Sequence, residues 1–442
     1  MNDPQQNKRF RVLFLTPYYP PEVGAAQTRT EDFALRLSRS GYDVSVLTTF
    51  PNYPSGIVPM EWRGKFFWKG TDDSARIYRV WSYISPGGRF WIRLLNNLTF
   101  ALFATLIGIW LAKPDVIVVE SHPLFNGVAA IILSTFKRAP FVLNVSDLWP
   151  ESAIQLGALK NPVLIWLAEK FEQLAYRRAA IILAMSRGIW NKIRHDGIGD
   201  SKVLLFRNAV DCDVFRPGLD GLTMRVQLGV APDAFIVLYA GTFGFFNDTK
   251  VILETAARFQ RENNSRVQFV FVGDGKEKRK LQDFVAQNGL TNVRLVRPIP
   301  KAGMPTLLAA SNCVVIARKN HDTGTLPRKL FEAMASAKPV VLAASGEAED
   351  ELRMAGGGIC VPPEDSASLR DAVLQLLTNP ERANDMGRKG RQYAEVHFSH
   401  SKRTRELLDH LQSLLCAPNG GMQTRLPETV PGHHAKRGAQ VS

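Results

Sequence analysis

DTGTLPRKLFEAMASAKPVV, residues 322–341, combines the start of a helix with the strand that follows it. Pro327 suits the first turn of that helix, where a backbone N–H is not needed. Residues 323–325 leave N–H groups free to meet an anion, and the helix dipole adds to the attraction. A strand at residues 339–343 would place this helix start at the carboxyl edge of a parallel sheet, where ligands bind. The stretch therefore predicts an anion site in an α/β fold.

Charged residues at this helix start suggest which ligand groups would bind there. Arg328 and Lys329 add two positive charges beside the expected anion site. Glu332 lies one turn further in, and its carboxylate can accept hydrogen bonds from both hydroxyls of a ribose. An ordinary charged surface helix is the alternative, but the following strand requires the helix to start at the ligand-binding edge.

Short apolar runs alternate with amphipathic stretches along the chain, which indicates parallel sheets covered on both faces. In the second half the predicted strands are residues 235–240, 267–272, 293–296, 313–317, 339–343 and 358–361. In the first half they are residues 10–16, 43–49, 115–119, 141–145, 180–184 and 202–206. The fold class is therefore α/β, with two Rossmann-like, doubly wound units in tandem.

Length and composition agree with two soluble domains. A chain of 442 residues is too long for one ordinary core. Its 45% hydrophobic and 22% charged residues are typical of globular proteins. We expect an N-terminal domain over residues 1–207, a C-terminal domain over residues 208–398, and a disordered tail over residues 417–442.

The cysteines and the N-terminus both indicate a cytoplasmic protein. The four cysteines are scattered and form no CxxC pair, which argues against a disulfide framework or a zinc site. The polar residues 1–10 run directly into an apolar strand, without the apolar core and cleavage site of a secretory signal.

The net charge of +14 indicates an anionic partner. We expect no nucleic-acid binding, because the chain has no Lys/Arg run with interleaved aromatics and no recognisable nucleic-acid module. Anionic lipid and phosphorylated small molecules remain as partners. A solvated surface would account for part of the charge.

LTFALFATLIGIWLA, residues 98–112, interrupts the alternating pattern with 15 apolar residues. A helix that crosses a bilayer needs about 20, so this run is too short. One interpretation is a helix buried beneath the sheet. The other is a helix whose aromatic and basic leading end, including Arg89, Trp91 and Arg93, lies in the membrane interface.

Small residues at strand-to-helix turns offer further places for a phosphate. The chain contains neither a dinucleotide-binding GxGxxG after its first strands nor a GxxxxGK[ST] loop. Instead, Gly24, Ala25 and Ala26 follow the first strand, and Gly241 follows the first strand of the second unit. Such turns let a ligand approach backbone N–H groups, although tight packing also demands glycine.

LPRKLFEAMASAKPVV resembles the EAMA-G-PVV signature of the retaining glycosyltransferases of family 4, which have the GT-B fold. Three further stretches fall in the order that this family shows: FRNAVDCDVFRP (206–217), VFVGDGKEKRKL (270–281) and GGGICVPPEDSASL (356–369). SDLWPES (146–152) resembles a narrower subgroup of O-antigen fucosaminyl and colanic-acid-type exopolysaccharide glycosyltransferases. The resemblance runs from about residue 10 to residue 412.

The resemblance implies an enzyme that moves a sugar from a nucleotide carrier, with retention of configuration. The donor, a UDP-sugar of the N-acetylhexosamine type, would bind the second domain through the ribose partner Glu332, the diphosphate candidates Arg328, Lys329 and Lys250, and nearby Gly241, Thr242, Gly324 and Thr325. The turn of Gly24, Ala25 and Ala26 would face the donor phosphate and the acceptor.

The acceptor, a lipid-linked saccharide on polyprenyl diphosphate, would bind the first domain. The enzyme would then be peripheral on an anionic surface, the inner face of the cytoplasmic membrane. A last helix, residues 399–416, would cross back to the first domain. No cofactor is expected, since the nucleotide-sugar is a substrate.

Three departures from the family pattern concern the reaction centre. Gly324 replaces a common Glu, Thr242 a common Arg, and Ser146 a common His. Asp147 is the preferred polar group at the reaction centre, with His122 and Glu120 as second choices. A sugar-nucleotide epimerase of the same fold and a catalytically degenerate membrane scaffold remain alternatives, and donor turnover with and without acceptor separates them.

Asp211 and Asp213 form a DxD triplet, which binds a metal in another glycosyltransferase fold. Here the triplet lies in the expected linker between domains, and we interpret it as structural. Basic side chains and a helix start can stabilise a leaving diphosphate instead, so we expect no metal.

Overall fold

The computed structural model describes residues 9–22, 24–53, 56–86, 90–155, 157, 159–244, 246–319 and 326–416. Two mainly parallel sheets form its framework. The first has the strand order β3-β4-β2-β1-β5-β6-β7-β8, and the second has the order β11-β10-β9-β12-β13-β14. The strands are β1 (Arg11–Leu15), β2 (Asp43–Thr49), β3 (Phe67–Thr71), β4 (Arg76–Val80), β5 (Val116–Glu120), β6 (Phe141–Val145), β7 (Ile181–Ala184), β8 (Val203–Leu205), β9 (Phe235–Ala240), β10 (Val267–Val272), β11 (Val293–Val296), β12 (Cys313–Ala317), β13 (Val340–Ala343) and β14 (Gly358–Val361).

Helices cover both faces of each sheet, and the expected doubly wound α/β class is confirmed. Strands β5, β6 and β12 are buried along their whole length, because neither face meets solvent. The helices are α1 (Ala25–Arg39), α2 (Phe90–Trp110), α3 (Phe125–Lys137), α4 (Glu151–Gln155), α5 (Pro162–Arg178), α6 (Arg187–His195), α7 (Leu222–Gln227), α8 (Thr249–Arg261), α9 (Lys278–Gln287), α10 (Met304–Ala310), α11 (Arg328–Ala335), α12 (Glu347–Ala355), α13 (Ser366–Thr378), α14 (Pro380–His397) and α15 (His400–Cys416).

The hairpin of β3 and β4 was not predicted. Strand β4 pairs parallel with β2, and β3 pairs antiparallel with β4 at the edge of the sheet. Along β3 no residue is buried, because an edge strand packs on one neighbour only. Its mixed sequence, FWKGT, therefore lacks the continuous apolar run that identifies the central strands.

Helix α2 is longer than the apolar run suggested, and it is neither fully buried nor fully exposed. Its residues 91–110 are long and apolar enough to cross a membrane by length and composition, which corrects the expectation that the run was too short. One side packs into the first core through Phe100, Ala101 and Ala104. The opposite side stays exposed at Trp91, Leu95, Leu98, Leu102, Leu106 and Trp110. Arg89 and residues 417–442, about which the sequence made predictions, lie outside the described residues.

The chain passes between the two domains twice at neighbouring places. The backbone N–H of Val210 donates to the carbonyl of Phe398 at 2.8 Å, and that of His400 donates to Val210 at 3.0 Å. Helix α15 then packs on the first core, where Leu407 and Leu411 are buried. The last helix thus crosses back to the first domain.

Candidate active site

The two domains meet where helix α1 faces the start of helix α11. Helix α1 follows β1, and α11 follows β12, so both begin at the carboxyl edge of their own sheet. Asp32 of α1 accepts a hydrogen bond from the Arg328 guanidinium at 2.9 Å and one from Lys301 Nζ at 3.0 Å. A ligand between the sheets would therefore contact both domains at this place.

Lys329 lies at the carboxyl end of β9, against small and aromatic groups. Its Nζ is 4.2 Å from the centre of the Tyr239 ring and 3.3 Å from Asn247 Oδ1. Gly241 has φ 151°, and a Cβ there would come within 3.4 Å of that Nζ. Burial, with the neighbouring charge of Arg318, lowers the pKa of Lys329 to about 7. An arriving anion would favour the protonated form.

Glu332 lies on α11 one turn after Arg328. Its Oε1 accepts a hydrogen bond from Arg328 Nε at 3.3 Å. Burial raises the pKa of Glu332, and the charge of Arg328 opposes that shift. Arg328 is therefore shared between Glu332 and Asp32, whereas the sequence had placed it at the donor diphosphate.

The remaining residues that were predicted to bind the donor are Thr242, Lys250, Gly324 and Thr325. The Thr242 carbonyl accepts hydrogen bonds from Tyr239 Oη at 2.8 Å and Asn247 Nδ2 at 3.1 Å, so it lies beside Lys329. The Lys250 side chain is 74% exposed and pairs with Glu254 on its own helix. Gly324 and Thr325 lie outside the described residues.

The turn at Gly24 begins helix α1. No side chain caps this helix, and its first turn contains no acidic residue, which leaves its first N–H groups available to an anion. Ala25 and Ala26 are its first two residues. Gln27 in the same turn donates to the buried Glu22 at 3.3 Å.

Glu120 at the end of β5 is a buried ion-pair partner. It accepts hydrogen bonds from Arg29 Nε at 3.0 Å and from the terminal guanidinium nitrogen at 3.2 Å. Asn144 donates a third at 2.7 Å, and Ser146 is 3.4 Å away. These bonds hold helix α1 against the sheet and neutralise the Glu120 carboxylate. Of the three candidates for the reaction centre, Glu120 therefore makes structural contacts.

His122 and Asp147 follow the neighbouring strands β5 and β6 and act on each other electrostatically. Burial lowers the pKa of His122, and the Asp147 charge opposes that shift. Burial raises the pKa of Asp147, and the His122 charge opposes that shift in turn. Among the described residues, His122 Nδ1 has no hydrogen-bond partner. The pair can therefore hold or release a proton at the edge of the cleft.

Several groups beside this pair were missed from the sequence. Burial raises the pKa of Tyr18 to about 12, and the charges of Glu22, Glu120 and Arg93 also act on it. Glu22 accepts hydrogen bonds from the backbone N–H groups of Asn52 and Tyr53. The sequence YYPPE at residues 18–22, directly after β1, was the available signal. Nothing local indicated that residues 52 and 53 would bind Glu22 or that the charge of Arg93 would act on Tyr18.

The DxD triplet belongs to the contact between linker and helix α1. Asp211 accepts hydrogen bonds from the backbone N–H groups of Asp213 at 3.0 Å and Val214 at 3.2 Å. It also accepts one from Arg36 at 2.9 Å. Both of its carboxylate oxygens are thus engaged within the protein. Over the described part of the chain, no group of three or more His, Cys, Asp or Glu residues is placed to hold a metal ion.

Two family models match the chain, one in each half. The model described as Glycosyl transferase 4-like domain matches residues 24–209, and the one described as Glycosyl transferases group 1 matches residues 222–393. The chain is 26% identical to a colanic acid biosynthesis glycosyl transferase, WcaI, of Escherichia coli (strain K12), over 91% of this chain and 100% of that protein.

Solved structures resemble the whole chain. Sucrose-phosphate synthase from Thermosynechococcus elongatus has a TM-score of 0.73 at 18% identity, covering 93% of this chain and 100% of that one. Anabaena HepE in complex with UDP and glucose has a TM-score of 0.69 at 18% identity, covering 92% and 100%. At these identities the likeness concerns the fold.

Proposed function

We propose a specific reaction for this chain from the premise that it belongs to the glycosyltransferases of family 4 and has the GT-B fold. Both expectations from the sequence are confirmed, and the chain is a glycosyltransferase of polysaccharide biosynthesis. The proposed reaction moves an N-acetylhexosamine-type sugar from a UDP carrier to a polyprenyl-diphosphate-linked saccharide, with retention of configuration.

The placement of Lys329 is the observation that carries the donor half of the proposal. Its amine lies at the carboxyl end of β9 beside Gly241, and its pKa is lowered to about 7 by burial. A diphosphate would draw a proton onto this amine, and the resulting charge would stabilise the leaving group without a metal. Glu332, one turn away, would accept hydrogen bonds from the ribose. HepE, which shares the fold, is known in complex with UDP-glucose.

Asp147 and His122 are proposed to lie at the acceptor hydroxyl. That hydroxyl loses its proton as the new glycosidic bond forms, and the proton must pass to a nearby base or to the leaving phosphate. The two side chains follow neighbouring strands at the edge of the first sheet, and their charges act on each other. Glu120 is proposed as a positioning residue, because Arg29 and Asn144 already occupy its carboxylate.

The acceptor half of the proposal rests on helix α2 and on charge. The exposed apolar side of α2 suits the interfacial region of a bilayer, and the net charge of +14 suits anionic lipid. A polyprenyl-linked acceptor stays in the membrane. The enzyme is therefore proposed to work as a peripheral protein on the inner face of the cytoplasmic membrane.

Donor turnover tests the proposal. The protein would be incubated with UDP-GlcNAc and other UDP-sugars, with and without a polyprenyl-diphosphate saccharide in vesicles. UDP release that depends on acceptor, with an α-linked product from an α-linked donor by NMR, is expected. Turnover without acceptor that yields an isomerised sugar would establish the epimerase instead, and donor binding without any turnover would establish the scaffold. Lys329→Met is the matched inactive control.

A further inference from the structure

Helix α2 has two sides, and Arg93 lies on the side that faces the protein. An α-helix repeats about every 3.6 residues, so residues seven apart lie on the same side. Arg93 is seven residues before Phe100, which is fully buried in the first core. The exposed apolar stripe, with Trp91, Leu95 and Leu98, occupies the opposite side. Arg93 therefore projects from the first turn of α2 on its inner side, while its own side chain stays accessible to solvent.

The topology of the first sheet brings this first turn to the candidate reaction centre. Strand β4 is parallel to β2 and, through β1, to β5 and β6, so the chain leaves all of them at one edge. Helix α2 follows β4 and begins at that edge, where His122 and Asp147 also lie. The pKa of His122, lowered chiefly by burial, is lowered further by Arg93, and the Arg93 charge also acts on Tyr18.

The two carboxylates whose charges act on Tyr18 together with that of Arg93 already have partners. Glu120 is bound by Arg29 and Asn144, and Glu22 is bound by two backbone N–H groups. Arg79 donates to the carbonyls of Thr49 and Pro20. No ion pair of the described residues includes Arg93. A basic group of this kind, at the edge of a site and beside neutralised carboxylates, suits a phosphate.

We infer that Arg93 binds the diphosphate of the lipid-linked acceptor, between the apolar stripe of α2 and the His122–Asp147 pair. The inference rests on the proposed acceptor class and assigns the residue that recognises it. The sequence from the exposed stripe of α2, through Arg93 in its first turn, to the His122–Asp147 pair corresponds to the parts of a polyprenyl-diphosphate saccharide: tail, diphosphate, sugar. The stripe from Trp91 to Trp110 is about 28 Å long at 1.5 Å per residue. Over this length the helix can lie along the membrane surface. Arg93 thus fixes which hydroxyl of the acceptor reaches the reaction centre.

The test uses farnesyl diphosphate in detergent as the probe, with inorganic diphosphate and farnesol as its two fragments. Farnesyl diphosphate should bind more tightly than either fragment. Arg93→Gln should weaken it at least about tenfold, as expected for the loss of a charge-assisted hydrogen bond. Arg93→Lys should recover part of this loss. Lys113→Gln, three residues after the end of the same helix, is the matched control and should bind like the parent.

Three further measurements decide whether the loss of affinity comes from Arg93 at the acceptor diphosphate, from general basic charge or from lipid headgroups. UDP binding and sedimentation with phosphatidylglycerol vesicles should be unchanged in Arg93→Gln, because Arg93 contacts neither the donor nor the bilayer in this arrangement. If Arg93→Gln and Lys113→Gln lose equal affinity for farnesyl diphosphate, the effect comes from general basic charge. If Arg93→Gln loses vesicle binding, Arg93 binds lipid headgroups. Either result would overturn the inference. Parent protein that transfers sugar to a soluble acceptor but ignores farnesyl diphosphate would overturn it while leaving glycosyl transfer intact.

Discussion

Arg328 of the second domain donates a hydrogen bond of 2.9 Å to Asp32 of the first domain, 296 residues earlier in the chain. The same guanidinium contacts Glu332, and Lys301 contacts the same Asp32 at 3.0 Å. Burial opposes ionisation of Asp32, but Arg328 and Lys301 together lower its pKa. This carboxylate therefore lies beside two cations to which an anionic donor could otherwise bind.

Asp32→Asn should therefore tighten binding of UDP. Removing the competing charge leaves Arg328 and Lys301 available to the diphosphate, and a three- to tenfold lower Kd, roughly 1 kcal/mol, is expected from a partly exposed pair. Isothermal titration calorimetry measures it. Glu31→Gln, which changes the neighbouring acidic residue 3.9 Å from Lys301, is the control and should bind like the parent. Weaker binding in Asp32→Asn would mean that Asp32 positions Arg328 for the donor.

Lys329 should make UDP binding depend on pH. Its pKa of about 7 means that the free enzyme carries a charged amine below pH 7 and a neutral one above it. Because the diphosphate favours the charged amine, binding releases no proton below pH 7 and takes one up above it, so affinity should fall as pH rises from 7 to 9. Lys329→Met should bind weakly with a flat profile over that range. Lys389→Gln on α14 is the control and should keep the pH dependence of the parent. UDP affinity of the parent that does not change with pH, or a pH dependence that Lys389→Gln also abolishes, would contradict the assignment.

Glu332 should be the partner of the ribose hydroxyls. Glu332→Ala should weaken nucleotide binding by about 1.5–3 kcal/mol, the range for hydrogen bonds to charged groups. Because Glu332 also holds Arg328, Glu332→Gln is the better-matched change. A double-mutant cycle with 2′,3′-dideoxy-UDP isolates the contact. The dideoxy nucleotide should bind less tightly than UDP to the parent. This difference should be smaller in Glu332→Gln, whose neutral amide keeps only one acceptor oxygen, and an unchanged difference would remove Glu332 from the site.

Turnover should survive EDTA. The proposed neutralisation of the leaving diphosphate uses Lys329 and the start of helix α11, and Asp211 is bound by Arg36 and two backbone N–H groups. Asp211→Asn should lower the melting temperature through the loss of Arg36, while turnover per folded molecule stays within about twofold. If EDTA abolishes activity and Mg²⁺ or Mn²⁺ restores it, Asp211 and Asp213 would be metal ligands and the prediction would be wrong.

The exposed side of α2 should carry membrane binding. Trp91 is 65% exposed and Trp110 is 87% exposed, with Leu98 and Leu102 between them. Trp91→Ser, Leu98→Ser and Leu102→Ser together should reduce sedimentation with phosphatidylglycerol vesicles while leaving UDP binding intact. Val396→Ser on α14, an exposed apolar residue of the other domain, is the control. A triple variant that sediments like the parent would move the membrane surface elsewhere.

Local patterns in the sequence were enough to predict the strands of the second domain. Strands β9, β10, β11, β12 and β14 begin and end where the apolar runs predicted. The central strands β9, β10 and β12 are largely buried and form continuous apolar runs, and the edge strands β11 and β14 keep short apolar runs of their own. The edge hairpin of β3 and β4 escaped prediction, since an edge strand needs no such run. The placing of Lys329 and Glu332 on one helix start also followed from local spacing.

The sequence by itself determined the two doubly wound sheets, the family resemblance and the donor helix, because these depend on periodicity and on residues close along the chain. Only the tertiary structure decided which charges meet. It paired Arg328 with Asp32 and bound Glu120 to Arg29. It also brought the charges of Asp147 and Arg93 close enough to act on His122, while the other side of α2 stayed exposed. Each of these contacts joins residues tens to hundreds of positions apart, and their partners are set by how sheets and helices pack, which no local pattern encodes.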